Sequence, residues 1–456
     1  MDRQPNILFL MTDQQRGDAL SCVSDWVDTP HLDRIADEGV RYSQAYTNSP
    51  VCVPARVSLM TGRYPHQTGV WANGPRMLDP EAHTWTQSVR DAGYVTSVFG
   101  KTHLHPHKGD LRDREHLLHT WGLDHVDEIG GPRTMTRVSC RLTDLWKDAG
   151  VLEAYRQDLE SRYRDKPWVV RPSPVPFELY ADVYVGTRAR DYLRSYREQR
   201  PWMCWVSFSG PHEPWDTPPP YAGTFDPASM PEPLQEDRRA RKDRTNRPRG
   251  VLDQRNRVEF EPGDVAALRA DYAARLKLID DQVGELLRVV EERGELENTV
   301  IALGSDHGEM NGDFGLIYKQ NFLNPAVRIP FLLRVPGGRA GWVCEDPVEL
   351  MDLGATLAEL AGGDPVPGSR ARSVADRVLG RTDTGRQSAL SELSGEVMIA
   401  SDGWKLALNR RGQPYLLYDL DSDPDERRNL AGVKKYADQT RRLQAEMLRR
   451  IVRSLS

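Results

Sequence analysis

Residues 6–11 read NILFLM, an uninterrupted apolar run that stops at the polar residues Thr12, Asp13 and Gln14. An apolar run of this length, bounded by polar residues, predicts a short buried strand. Strands that read as continuous apolar runs are typical of sheets that are covered by helices on both faces. We therefore expect residues 6–11 to form a buried strand that places the carboxylate of Asp13 at its carboxyl end.

Three later segments repeat this arrangement of an apolar run followed by a polar cluster. The apolar runs are residues 94–99, 202–208 and 299–303, and the clusters that follow them are residues 100–103, 209–212 and 304–308. Helical patterns lie between the runs, at residues 84–92, 181–196 and 264–293. Strands that alternate with helices predict an α/β fold, in which a sheet is sandwiched by helices. Because ligands bind at the carboxyl ends of such strands, we expect the polar clusters to be neighbours in space.

Composition excludes several classes of protein. The 456 residues include 61 Lys and Arg against 67 Asp and Glu, which gives a net charge of −6 and disfavours a nucleic-acid binder. No apolar stretch approaches the roughly 20 residues that span a bilayer, so we expect no membrane partner. The cysteines are odd in number and widely spaced, which argues against a disulfide framework: Cys22, Cys52, Cys140, Cys204 and Cys344. The chain shows no signal-peptide pattern, and we expect a cytoplasmic location.

Two stretches resemble insertions into a catalytic domain that we place at residues 1–385. Residues 105–175 lack a clear period, and residues 218–262 are proline-rich and contain a charge run at 236–244. The charge run favours a solvated loop, with a lid or a homo-oligomer contact as alternatives. Two strand-like stretches, 396–408 and 414–420, and a terminal helix at 435–454 predict a small C-terminal α+β domain over residues 386–456.

The sharpest chemical signal is CVPAR at residues 52–56. Pro54 suits the first turn of a helix, so Cys52 is expected at a helix N-terminus, where free N–H groups favour negative charge. Arg56 projects one turn later from the same face. From the residues alone, Cys52 is either a small buried hydrophobe or a thiolate nucleophile.

CVPAR and the following SLMTGRYPHQTG (58–69) resemble the sulfatase signature, in which the cysteine is oxidised to formylglycine after translation. The resemblance extends over most of the chain. It is carried by NILFLMTDQQRGD (6–18), FGKTHLH (99–105), SGPHEPW (209–215), SDHGEMNGDFGLIYKQNF (305–322), VRIPFLLRVPG (327–337) and YLLYDLDSDPDERRNLA (415–431). It implies an alkaline-phosphatase-like mixed sheet and a sulfuric ester hydrolase that is matured by a formylglycine-generating enzyme.

The same resemblance implies a site for one divalent metal. Asp13, Asp306 and His307 match metal ligands of the family, and Gln14 stands where many members have a second Asp. With Cys52, which the resemblance places beside the metal, these residues form the expected metal site. Oxygen-rich sites suit Ca²⁺, which is our first expectation, or Mg²⁺. A histidine and a missing carboxylate favour Mn²⁺ as a further alternative.

A mechanism follows from these correspondences. The hydrated aldehyde at residue 52 carries a hydroxyl whose ionisation is favoured by the metal and Arg56. The ionised hydroxyl attacks the sulfur of a sulfate ester. Four side chains match positions that neutralise sulfate oxygens and protonate the departing alcohol: Lys101, His103, His212 and Lys319. Among them, His212 is the preferred general acid, with His103 as the alternative.

Departures from the family pattern keep other functions open. Phe314 stands where many relatives have a histidine, and Gln14 and Asn73 are reminiscent of phosphonate monoester hydrolases and phosphodiesterases, which use the same nucleophile. A binding protein that keeps the fold without catalysis is an alternative of another class. For the substrate we expect a small anionic sulfate ester, on a carbohydrate or aryl group, with Asn73 and His105 among its contacts.

Overall fold

The strand at residues 6–13 lies inside an eight-stranded mixed sheet, and every one of its residues is buried. The computed structural model describes residues 4–237 and 256–455. The strands of the chain are β1 (Asn6–Asp13), β2 (Val40–Tyr42), β3 (Ala45–Tyr46), β4 (Val95–Gly100), β5 (Gly109–Asp110), β6 (His125–Glu128), β7 (Val138–Ser139), β8 (Trp202–Pro211), β9 (Thr299–Ser305), β10 (Phe331–Arg334), β11 (Trp342–Cys344), β12 (Val348–Glu349), β13 (Ser388–Leu393), β14 (Glu396–Ser401), β15 (Trp404–Leu408) and β16 (Pro414–Asp419).

The central sheet has the strand order β11-β2-β10-β9-β1-β8-β4-β6. β9, β1, β8, β4 and β6 run parallel to one another, whereas β10 is antiparallel to both of its neighbours. The four strands expected from the apolar runs are therefore adjacent in the sheet, as β9-β1-β8-β4, and their carboxyl ends meet at one edge. This arrangement confirms the expectation that their polar clusters are neighbours.

Helices cover both faces of this sheet. They are α1 (Pro30–Asp37), α2 (Cys52–Thr61), α3 (Pro65–Thr68), α4 (Trp85–Asp91), α5 (Glu115–Thr120), α6 (Arg141–Asp148), α7 (Leu152–Asp165), α8 (Ala181–Ser195), α9 (Asp264–Glu292), α10 (Asn324–Val327), α11 (Leu350–Leu360), α12 (Ala375–Val378) and α13 (Ala437–Leu455). The helices predicted at 84–92, 181–196 and 264–293 correspond to α4, α8 and α9. α9 ends just before Gly294, which adopts the left-handed conformation with a φ of 68°.

Successive side chains of β1 enter two different cores. Ile7, Phe9 and Met11 pack on the face covered by α2, α4 and α11, whereas Leu8 and Leu10 pack on the face covered by α1, α8 and α9. Each such side chain contributes roughly 1.5–3 kcal/mol through burial. The apolar run is continuous because neither face of the strand meets solvent.

A separate four-stranded antiparallel sheet, in the order β13-β14-β15-β16, forms with α13 the small C-terminal unit. β13 reads SALSEL and is fully buried, and its mixture of small, polar and apolar residues gives no strand pattern in the sequence. The α+β character of this unit is confirmed, while the domain boundary at residue 385 stays a prediction.

The stretch 105–175 supplies more than a surface insertion, because it contains β6, one of the two edge strands of the central sheet. β6 is only four residues long and reads HVDE, so no apolar run marks it in the sequence. Of the proline-rich stretch 218–262, residues 238–255 lie outside the described residues, and with them most of the predicted charge run. Among the helices that the structure describes, none combines the length and the hydropathy that crossing a membrane requires.

Candidate active site

Four potential metal ligands meet at the carboxyl edge of the central sheet. Asp13 ends β1, Asp306 and His307 follow β9, and Cys52 is the first residue of α2. One ligand atom from each of these side chains lies within 4.8 Å of those of the others, and all four residues are buried. The sequence-predicted ligands are thus brought together from segments up to 294 residues apart, from Asp13 to His307.

Cys52 lies in a field that favours negative charge. Its Sγ atom is 3.1 Å from Nε2 of His307, and the α2 N-terminus begins at this residue. Burial alone would raise the pKa of the Cys52 thiol, but the charges of Lys101, Lys319 and His307 hold that pKa well below its usual value. The position therefore suits a group that carries negative charge during a reaction.

Arg56 ties the strand ends together from the next turn of α2. Its Nε donates to Asp306 Oδ2 at 2.9 Å and its Nη2 to Asp13 Oδ2 at 3.0 Å. Nη1 donates to the carbonyl of Lys101 at 2.7 Å and to the hydroxyl of Ser207 at 3.2 Å. All of these contacts are buried, and removing one partner of a buried ion pair typically costs about 3–5 kcal/mol.

The donor set fits one divalent cation. Asp13 Oδ1 is buried without a hydrogen-bond partner among the described residues, although Oδ2 of the same carboxylate is bonded to Arg56 and Lys101. A buried carboxylate oxygen without a donor carries a desolvation penalty that a cation would remove. The two carboxylates are ligands that suit Ca²⁺, Mg²⁺ or Mn²⁺, whereas the imidazole is a ligand more typical of transition-metal ions.

Gln14 connects this cluster to a second set of polar side chains. Its backbone N–H donates to Asp306 Oδ1 at 3.1 Å, and its Nε2 donates to Glu213 at 2.9 Å and to Glu309. Its carboxamide oxygen accepts a hydrogen bond from Lys319 Nζ. This carboxamide therefore orders Lys319; its predicted role as a metal ligand remains a prediction.

His212 and Lys319 form a pair beside the metal ligands. Lys319 Nζ lies 3.0 Å from His212 Nε2, and His212 Nδ1 lies 2.8 Å from the carbonyl oxygen of Glu213. This carbonyl accepts a hydrogen bond from Nδ1, which leaves Nε2 facing the Lys319 ammonium. The pair can hold and pass a proton, as the predicted acid chemistry requires.

A buried ion pair shapes the loop that carries His212. Asp182 on α8 accepts hydrogen bonds from the backbone N–H groups of Ser209 and Gly210, at 2.7 and 3.0 Å. Its partner Arg275, on α9, donates to the carbonyl of His212 at 2.8 Å. Neither residue is marked in the sequence, because each lies within an ordinary helical pattern.

Three other predicted residues have distinct environments. His103 has a φ of 55°, and burial lowers its pKa to about 3, although a hydrogen bond with Cys52 opposes this shift.

The exposed Asn73 accepts a hydrogen bond from the Val53 N–H at 2.9 Å and so caps the start of α2. His105 is buried and directed at Glu128, 2.6 Å away, so its side chain faces the protein interior. The substrate contacts predicted for Asn73 and His105 stay predictions.

Glu213 and Glu128 are the carboxylates near the site that sequence reasoning missed. Glu213 is buried, contacts Gln14 and pairs with Arg133, whose charge helps to hold the pKa of Glu213 at about 2 against the effect of burial. The sequence does offer one indication that Glu213 belongs to the site, because this residue lies inside the PHEP segment, directly after His212. Glu128 offered no such signal, since it follows an unremarkable run of polar residues.

Comparisons with known proteins agree with this geometry. The family model described as Sulfatase matches residues 5–363. The chain is 28% identical over 446 residues to an arylsulfatase from Clostridium perfringens, covering 95% of this chain and 92% of that protein. It is 30% identical over 451 residues to a choline-sulfatase from Rhizobium meliloti, covering 94% of this chain and 82% of that protein.

A solved structure shares the whole fold. The phosphonate monoester hydrolase of Agrobacterium radiobacter superposes with a TM-score of 0.81 at 24% identity, covering 99% of this chain and 96% of that chain. This likeness confirms the predicted fold, a mixed sheet sandwiched by helices with a small C-terminal sheet. The chain belongs to the sulfatase family and is a sulfuric ester hydrolase.

Proposed function

We propose that this protein hydrolyses sulfate monoesters of small carbohydrate or aryl alcohols, using a formylglycine formed from Cys52 and one divalent cation. The observation that carries the proposal is the meeting of Cys52 with Asp13, Asp306 and His307 within 4.8 Å. A nucleophile position and a carboxylate-rich ligand set share one buried volume there. Ca²⁺ is our first choice of cation, with Mg²⁺ and Mn²⁺ as alternatives.

The formylglycine would supply a nucleophilic hydroxyl on residue 52, and the divalent cation would supply the positive charge that favours ionisation of that hydroxyl. The chain itself supplies the anion-binding groups. Lys101 and Lys319 both act electrostatically on residue 52, so an anionic ester brought against that residue meets two ammonium groups. Arg56 holds Asp13 and Asp306 in place and adds a third positive charge.

His212 is suited to protonate the departing alcohol. Its Nδ1 is committed to the carbonyl of Glu213, which leaves Nε2 to exchange a proton with Lys319 or with the leaving oxygen. Positioned proton transfer of this kind contributes typically 10²–10⁴-fold to rate. The buried pair Asp182–Arg275 keeps the His212 backbone fixed, because both members contact the loop itself.

Turnover of a sulfate ester tests the proposal. Protein coexpressed with a formylglycine-generating enzyme should release inorganic sulfate from 4-nitrophenyl sulfate and from small sugar sulfates. Mass spectrometry of the peptide that contains Cys52 should show the aldehyde in proportion to activity. Full activity in protein whose Cys52 is entirely an unmodified thiol would overturn the mechanism.

A second candidate function is hydrolysis of a phosphonate monoester or phosphodiester with the same nucleophile. The specific observation in its favour is Gln14, a neutral carboxamide beside Asp306 where many sulfatases carry a carboxylate. Asn73, at the start of α2, is the other feature reminiscent of those enzymes. Comparing kcat/KM for an aryl sulfate, a bis-aryl phosphate and an aryl phosphonate decides between the two; a large preference for either phosphorus substrate would displace sulfate hydrolysis as the main activity.

A further inference from the structure

The loop that carries Lys101 and His103 is anchored from outside the site by one carboxylate. Glu128, the last residue of β6, accepts hydrogen bonds from Thr102 Oγ1 and from two ring nitrogens of the same loop. His105 Nε2 is 2.6 Å from Oε2 of Glu128, and His107 Nε2 is 3.2 Å from Oε1. The Glu128 side chain is 2% exposed, so its charge is compensated within this cluster.

The cluster of His105, His107 and Glu128 has the composition of a metal site, but its distances are those of hydrogen bonds. Two ligands that each lie ~2.0–2.1 Å from a tetrahedral zinc ion are about 3.3 Å apart. The separation of 2.6 Å between His105 and Glu128 is far shorter, and it matches a charge-assisted hydrogen bond. Oε1 also accepts a hydrogen bond from Thr102, which uses a lone pair that a metal would require.

The protonation of His105 is consistent with an ion pair. Its Nδ1 lies 3.3 Å from the carbonyl oxygen of Pro106, which can only accept a proton. Its Nε2 faces a carboxylate, which is also an acceptor. Both nitrogens therefore carry protons, and His105 is an imidazolium paired with Glu128.

His107 connects this anchor to the reacting groups. Its ring packs against that of His103, with 4.7 Å between the ring centroids, while its Nε2 is held by Glu128. His103 in turn is hydrogen-bonded to Cys52 and has a positive φ of 55°, a conformation that needs support from its surroundings. Lys101, at the start of the loop, pairs with Asp13.

We propose that Glu128 is a positioning residue for catalysis: by accepting hydrogen bonds from Thr102, His105 and His107, it holds His103 and Lys101 against residue 52. This inference rests on the proposed function, in which Lys101 meets the anionic ester; His103 lies beside the same residue 52 through its hydrogen bond with Cys52. It assigns His105 to the support of the loop. The effect of Glu128 passes through His107 and the backbone, so Glu128 itself touches no substrate.

The test is a double-mutant cycle on the metal-loaded, formylglycine-containing protein. E128Q keeps the shape of the side chain but replaces one acceptor oxygen by an NH₂ group, which cannot accept from a histidine. We expect kcat/KM for 4-nitrophenyl sulfate to fall about 10- to 100-fold, as is common for residues that orient catalytic groups. The loss in E128Q/H103A should be clearly smaller than the product of the two single losses, because part of the effect of Glu128 passes through His103.

D127N is the matched control. Asp127 is the preceding residue of β6, is equally buried, and bonds Tyr184 and Arg188. Its replacement should lower the thermal midpoint as E128Q does but leave kcat/KM within a few-fold of the parent. If E128Q does not fold, H107Q replaces it in the cycle, with the same non-additivity expected.

Three results would overturn the proposal: wild-type kcat/KM in E128Q, losses of E128Q and H103A that multiply in the double variant, or one equivalent of zinc bound in a Glu128-dependent manner. Failure of the proposed function is distinguishable, since it would appear as an absence of sulfate ester turnover in the wild-type protein. If a phosphorus ester is the substrate turned over, the same cycle is measured on that ester.

Discussion

Nε2 of His307 lies 3.1 Å from Sγ of Cys52, across 255 positions of sequence. The contact joins the first residue of α2 to the loop after β9, and it places a potential metal ligand against the residue that the family signature marks for oxidation. Nucleophile and cation are therefore expected to share one site, and removing either should abolish the reaction.

Replacing Cys52 by Ala should abolish ester hydrolysis, by at least about 10³-fold in kcat, because no other group at the site can supply the nucleophile. The fold should survive, since a buried thiol is exchanged for a smaller apolar side chain. C140A, at a buried cysteine elsewhere, is the control and should retain full activity. Hydrolysis by C52A at the wild-type rate would contradict the assignment.

Removing the cation by chelation should eliminate activity and lower the thermal midpoint. Without a cation, the carboxylates of Asp13 and Asp306 lie together in a buried volume, and Arg56 and Lys101 offset their repulsion only in part. Adding back Ca²⁺, Mg²⁺ or Mn²⁺ singly, with activity and midpoint as readouts, identifies the preferred ion.

The matched variants for this experiment are D13N and D281N. D13N removes the carboxylate whose Oδ1 lacks a partner among the described residues and should weaken metal affinity strongly. D281N alters a different acidic group, beside His31 and Asp280, and should leave metal affinity unchanged. Equal metal affinity in D13N and the wild type would contradict the site.

Replacing His212 by Asn should slow hydrolysis by about 10²–10⁴-fold for esters with poor leaving groups. For 4-nitrophenyl sulfate the loss should be much smaller, because a stable phenolate departs without a proton. A plot of log kcat/KM against the pKa of the leaving alcohol measures the difference as a steeper slope. If the slope for H212N equals the slope for the wild type, His212 is not the acid and the role falls to His103.

The stability of the protein should carry a pH dependence that comes from Asp280. Burial raises the pKa of this carboxyl to about 7, although it caps α1 by accepting from the N–H of Leu32 at 2.8 Å. In the unfolded chain it ionises near its ordinary pKa of about 4. Between pH 4 and 7 the native state binds the extra proton, so the contribution of Asp280 to stability decreases as the pH rises.

D280N should remove this dependence, because its carboxamide oxygen still accepts from Leu32 and does not ionise. The thermal midpoint of D280N relative to wild type should therefore rise from pH 4 to 7 and stay level above. Thermal scans of both proteins at several pH values measure this difference in midpoint. A midpoint difference that is independent of pH would show that Asp280 ionises normally in the folded protein.

The chemistry-bearing residues could be predicted because they follow strand ends or lie in short motifs. Asp13, Lys101, His212 and Asp306 each come after an apolar run, and parallel strands bring such positions to one edge of a sheet. Supporting residues such as Asp182 and Glu128 could not be found in this way. Their importance depends on contacts with residues 27 and 26 positions away, Ser209 and Thr102, that no local pattern encodes.

By itself, the sequence determined the α/β class, the buried strand at residues 6–11 and the family, since apolar runs, helical periods and the CVPAR signature are local features. Tertiary structure alone decided which side chains meet. It turned His105 toward Glu128, set Asn73 on the start of α2, and made Gln14 the link between Asp306 and Lys319. The physical reason is that a buried polar group must find a partner, and the packing of distant segments determines which partner is within reach.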